Sequence, residues 1–142
     1  MPTVYRLTHR SNPNDIDTEK LIGFISSLEK CNSIIQHYIT IQGFKDYPKQ
    51  FKIKKYWVSN KLYVDKTVYY VQYYYDETNW IKKKDKVIYI NIGTYANKKI
   101  AFKIKCLSSK MLLFFLKRGD VVCEQYTLDN CEWAEGFDIV YT

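Results

Sequence analysis

Over Thr3–Thr8, Val4, Arg6 and Thr8 alternate with Tyr5 and Leu7, the two-residue period of a strand. Lys20–Ser26 is a second short apolar stretch compatible with a strand. The period then changes. Leu28, Cys31, Ile34, Ile35 and Tyr38 recur at helical spacing and predict an amphipathic helix over about 27–39. Ser26-Ser27-Leu28-Glu29 reads as a capping box at its start, and Gly43 as the left-handed residue that closes it. Gly43 to Pro48 is a loop, and Phe51, Ile53 and Tyr56 begin another strand. Leu62–Tyr75, Lys86–Ile92 and Lys99–Cys106 read as further strands. The last sets Ile100, Phe102, Ile104 and Cys106 against Lys99, Lys103 and Lys105. Polar breaks fall at Ser11–Asp17, Asp76–Asp85 and Gly93–Lys98. Ser108 or Ser109 caps a short helix over about 109–118, apolar nearly all round and so expected to be buried, with Gly119 at its end. Val121–Leu128 is the last long strand, and Phe137–Tyr141 is a further candidate.

These elements predict one α+β domain, a mostly antiparallel sheet of about five to seven strands with a main helix and a short buried one. Composition agrees: 17% of the residues are aromatic, with 14 Tyr among them, which favours sheet. Four cysteines, Cys31, Cys106, Cys123 and Cys131, lack CxxC spacing and stand apart from both histidines, so no metal site is expected. In a reducing compartment they read as buried, small apolar residues. The first residues, Met1 to Arg6, lack a basic stretch leading into an apolar core, and the longest apolar run, Met111–Leu116, is too short to span a bilayer. The expected location is cytoplasmic, with no membrane partner.

Charge changes the picture. Residues 119–142 carry Asp120, Glu124, Asp129, Glu132, Glu135 and Asp138 and no basic residue. All 22 basic residues lie before them. Either the acidic segment packs beside the basic body and neutralises it, or one sign is left for a partner.

Chemistry is sparse. Nucleophilic catalysis needs a base beside Ser or Cys, and only His9, near a strand end, and His37, on the predicted helix, could serve. Glu132, Glu135 and Asp138 could supply an acid and a base but read as solvated charges of a turn. No phosphate-binding, dinucleotide-binding or zinc-protease motif is present. The chain therefore reads as a non-enzyme without cofactors. Two binding surfaces remain. One is acidic: Asp129, Glu132, Trp133, Glu135 and Asp138, whose carboxylates can stand in for phosphate at a basic cleft. The other is basic and aromatic: Lys82, Lys83, Lys84, Tyr73, Tyr74 and Tyr75, suited either to an acidic protein or to single-stranded nucleic acid on a Lys- and Tyr-rich sheet. Arginine is scarce, with Arg6, Arg10 and Arg118 only, and no ribonucleoprotein aromatic motif is present.

Several phrases stand together: Val4-Tyr5-x-Leu7, Lys20-Leu21-Ile22-Gly23 before Ser26-Ser27, Gly43-Phe44-Lys45-Asp46-Tyr47-Pro48, Tyr126-Thr127-Leu128-Asp129, and Trp133-x-Glu135-Gly136-Phe137. This set resembles a family of short bacterial proteins of unknown function, over residues 3–56 and 121–139. The resemblance implies a small β-α-β core, with residues 57–120 an insertion whose flanking strands are neighbours in one sheet. It supplies no activity, but such proteins are often encoded beside toxin genes. A small chain without catalytic groups, with exposed aromatics and separated charge blocks, fits an immunity protein that neutralises a cognate toxin. The alternative is a single-stranded nucleic-acid-binding protein.

Overall fold

The computed structural model describes residues 3–59, 66–79, 84–115 and 119–138. The fold is α+β. Among the described residues six strands, β1 (Thr3–Arg10), β2 (Glu19–Ile25), β3 (Phe51–Ser59), β4 (Thr67–Asn79), β5 (Lys84–Tyr95) and β6 (Asp120–Thr127), form a mixed, mostly antiparallel sheet in the order β2-β1-β3-β5-β4-β6. The described residues also form two α-helices, α1 (Leu28–Tyr38) and α2 (Lys98–Phe115). The chain forms two compact units, Thr3–Trp57 with the segment from Thr127 onward, and Val58–Tyr126.

In the first unit β1 pairs antiparallel with both β2 and β3. Leu7 faces Gly23 and Ile53 across the two ladders, and His9 faces Lys20 and Phe51. Cys31, Ile34, Ile35 and Tyr38 of α1 lie one helical turn apart and pack on Leu7, Ile22, Ile25 and Phe44. Fully burying a side chain such as Phe44 is worth about 1.5–3 kcal/mol, so this cluster stabilises the unit. Leu28, expected on the same stripe, is exposed. The cap also differs from the expected box. Ser27 is the N-cap, its hydroxyl accepting from the Lys30 N–H at 3.1 Å, which puts Glu29 one position too early to reach back. Gly43 lies beyond the helix end and opens a single 3₁₀ turn, Phe44–Asp46, at φ +85°. A Cβ there would stand 2.5 Å from the Phe137 carbonyl oxygen, so the carboxy-terminal segment can approach only a glycine.

In the second unit β4 and β5 form a long antiparallel hairpin whose ladder runs from Tyr69–Tyr95 to Asn79–Lys84. The end of β3 joins it in parallel, Val58 beside Thr94 and Ser59 beside Tyr95. Helix α2 lies on one face, where Ala101 and Leu112 pack against Val71, Tyr73 and Val121.

The structure corrects several expectations here. The stretch Lys99–Cys106 is helical, the first half of α2. The alternation of Ile100, Phe102 and Ile104 suggested a strand, yet Ala101, on the polar side of that pattern, is the fully buried residue. The separate buried helix at 109–118 is the second half of the same helix as far as Phe115, and Met111 there is 61% exposed. Ser108 and Ser109 are therefore interior residues of α2, not caps. The strands flanking residues 57–120 are not neighbours, because β3 lies between β1 and β5 while β6 bonds to β4. Residues 137 and 138 are not in a strand, and the rest of that candidate lies outside the described residues. Cys31 is buried as expected, Cys123 and Cys131 are half-buried, and Cys106 is exposed because it lies on the outer side of α2.

Candidate functional site

The acidic segment follows β6 and is tied to the first unit by its backbone. The Asp129 N–H donates to the Phe24 carbonyl at 2.8 Å, and the Glu132 N–H to the Ile22 carbonyl at 2.8 Å. The Glu132 carbonyl accepts the Tyr38 hydroxyl at 2.7 Å, and the Phe137 N–H reaches the Gln42 carbonyl at 3.1 Å. Three residues of the segment adopt positive φ: Asp129, Trp133 and Gly136. For a side chain as bulky as Trp that conformation costs energy, and the surrounding bonds hold it. The Gly136 N–H closes a tight turn onto the Trp133 carbonyl at 2.9 Å.

The predicted acidic residues separate into two kinds. Asp129 is structural: its carboxylate accepts from the Ser26 N–H at 2.9 Å and hydroxyl at 2.8 Å, and from Lys30 at 3.2 Å. Burial works to raise its pKa, but the Ser26 hydrogen bonds and the Lys30 ammonium outweigh it and hold the carboxyl below its usual range. Asp138 accepts from the Gln42 side chain at 2.9 Å. Glu132 and Glu135 are exposed, and among the described residues their carboxylates have neither hydrogen bond nor ion pair. Trp133 stands between them, 44% exposed.

Two residues that the sequence reading did not single out complete the surface. The Lys20 ammonium lies 5.6 Å from the Trp133 ring centre and 4.0 Å from that of Phe137, and burial lowers its pKa. Glu19 lies beside it but is engaged by Arg6 at 3.5 Å and Arg10 at 3.1 Å. Glu19, Lys20, Leu21, Glu132, Trp133 and Glu135 line an open concavity of about 610 Å³. The register of β1 against β2 could not be read before the strands were paired, so Lys20 gave no signal of its own.

The three tyrosines of the basic alternative do not share one face. Lys82 and Lys83 lie outside the described residues, and Lys84 opens β5 opposite Asn79. Tyr73 is buried under α2, with Tyr75 stacked on it at 5.2 Å, while Tyr74 points the other way and lies 6.0 Å from Tyr89. Strand alternation therefore divides the three tyrosines between two faces.

His9 is fully buried. Its Nε2 donates to the Tyr47 carbonyl at 2.9 Å, while Nδ1 has no partner among the described residues. Phe44 and Phe51 meet its ring edge-on at 4.8 and 4.7 Å. His37 is exposed on α1. Among the described residues no cluster of three or more His, Cys, Asp or Glu could hold a metal ion, and no helix is long and apolar enough to cross a membrane. Comparison with protein-family models, with curated proteins and with solved structures returns no match.

Proposed function

We propose that the chain is a non-catalytic protein-binding module that engages its partner through the Trp133 turn. The observation that carries this reading is an exposed Trp held at positive φ by backbone hydrogen bonds, between two carboxylates without a partner among the described residues. A pre-ordered aromatic loses little entropy on binding and serves as an anchor, while Glu132 and Glu135 steer a basic partner toward it. A basic nuclease cleft has the complementary charge. The finer reading is thus an immunity protein bound to a cognate toxin, which draws its support from the family resemblance. The fold holds Asp129 in a structural role, so a test of binding leaves it intact.

The experiment measures association with the protein encoded by the adjacent reading frame, by biolayer interferometry. Trp133→Ala is expected to weaken binding about thirtyfold, the loss of an anchor worth about 2 kcal/mol. Glu132→Lys with Glu135→Lys is expected to slow association and flatten its dependence on salt. Unchanged rates in both variants would exclude this surface, and single-stranded RNA binding with no protein partner would favour the nucleic-acid reading.

A further inference from the structure

Helix α2 carries five lysines, Lys98, Lys99, Lys103, Lys105 and Lys110, and no acidic residue. At 3.6 residues per turn, Lys99, Lys103 and Lys110 project within about 40° of one another along about 17 Å of helix. All three are exposed, and none has a hydrogen bond or ion pair among the described residues. This ridge faces away from Ala101 and Leu112, which pack against β4 and β6. Phe102 flanks it on one side, with the Lys98 and Lys105 ammonium groups at 5.7 and 5.9 Å from its ring centre. Leu107 and Met111, both exposed, flank it on the other.

The order of these residues across the face selects the occupant. A lipid surface takes a helix whose apolar residues are central and whose lysines lie at the margins. A protein interface likewise has an apolar centre, and lysine is depleted there. Here the arrangement is inverted, with lysines central and apolar residues at both margins. A central row of exposed ammonium groups, without partners among the described residues, matches a line of phosphates, and the exposed Phe102 ring beside it can take a base by stacking. We infer that the outer face of α2 binds the phosphate backbone of a single-stranded nucleic acid without sequence preference. The site lies on other residues than the Trp133 turn and does not depend on it.

The test is fluorescence anisotropy of a labelled 20-nucleotide oligo-dT with the full chain, from 50 to 200 mM salt. Each phosphate neutralised on a single strand contributes about −0.7 to the slope of log affinity against log salt. The Lys99→Gln, Lys103→Gln, Lys110→Gln triple variant is therefore expected to flatten the slope by about 2. Each single substitution flattens it by about 0.7, which reads the same quantity should the triple variant not fold. A control that removes equal charge elsewhere, Lys45→Gln, Lys49→Gln and Lys52→Gln, is expected to change the slope less. Equal effects of the two triple variants would overturn the inference, as would absence of binding by the unsubstituted chain. Binding to phosphatidylserine vesicles that depends on these three lysines while oligo-dT binding does not would assign the face to lipid and overturn it too.

Discussion

Asp129 shows how little of a side chain's role its charge reveals. In sequence it is one of six acidic residues without a basic neighbour; in the fold it satisfies the Ser26 amide and hydroxyl and pairs with Lys30. Replacing it with Ala leaves the Ser26 N–H without its acceptor and is expected to cost about 1 kcal/mol, since the pair is partly solvated. Asp129→Asn, which tolerates the positive φ and keeps one acceptor, is expected to cost less. Urea unfolding checks both, through a lower midpoint at unchanged slope. Because its folded pKa is lowered, the contribution of Asp129 is present above its unfolded value of 3.8 and is lost as pH falls through the folded one. The exposed character of Trp133, Glu132 and Glu135 was legible from their polar, turn-like setting. The division of labour between them and Asp129 was not, because it depends on Ser26, 103 positions away.

The two helices mark the limit of pattern reading at the next scale. Helix α1 was legible because one stripe, Cys31, Ile34, Ile35 and Tyr38, packs on the core while polar residues fill most of the rest, so only one period fits. In α2 two periods compete over the first eight residues, and the two-residue one looked cleaner. The decisive local signal was Asn97. Its side-chain oxygen accepts from the Ile100 N–H at 3.2 Å and its carbonyl from the Ala101 N–H at 3.0 Å, which starts a helix. Asn97→Ala is expected to lower stability by about 1 kcal/mol, and Asn97→Asp to preserve it, as measured by thermal unfolding followed at 222 nm. A strand at this position would be indifferent to both. Strands β4 and β5 were legible in their tyrosines and isoleucines, but they run on into the breaks expected at Asp76–Asp85 and Gly93–Lys98, and strand order was not legible. Which strand lies beside which is decided by packing between segments far apart in sequence.

At the scale of the whole molecule, stability depends on pH through His9. Desolvation lowers its pKa below 6.5, opposed by the hydrogen bond to Tyr47 and reinforced by the Lys20 charge. Protonation would place a second N–H, on Nδ1, where the described residues offer no acceptor. Its neutral form therefore stabilises the fold above pH 6.5, and that contribution is lost as pH falls below it, because the unfolded chain binds the proton more readily. Proton NMR of the His37→Gln variant, which leaves one histidine to observe, is expected to show His9 titrating below 6.5. A titration at or above that value would remove His9 as a source of acid sensitivity.

The first unit is built from segments far apart in the chain, and its last piece covers something that would otherwise be bare. In sheet order β2 is terminal, and the amides of Asp129 and Glu132 occupy the carbonyls of Phe24 and Ile22 on its free side. The covering segment runs so close that a Cβ on Gly23 would stand 2.6 Å from the Asn130 carbonyl oxygen. An uncovered strand edge recruits strands from other chains. During synthesis β2 leaves the ribosome about a hundred residues before its cover does, which at 5–20 residues per second is a delay of about 5–20 seconds. For that interval the growing chain carries an adhesive border, and the segment that presents Trp133 also ends the risk of aggregation.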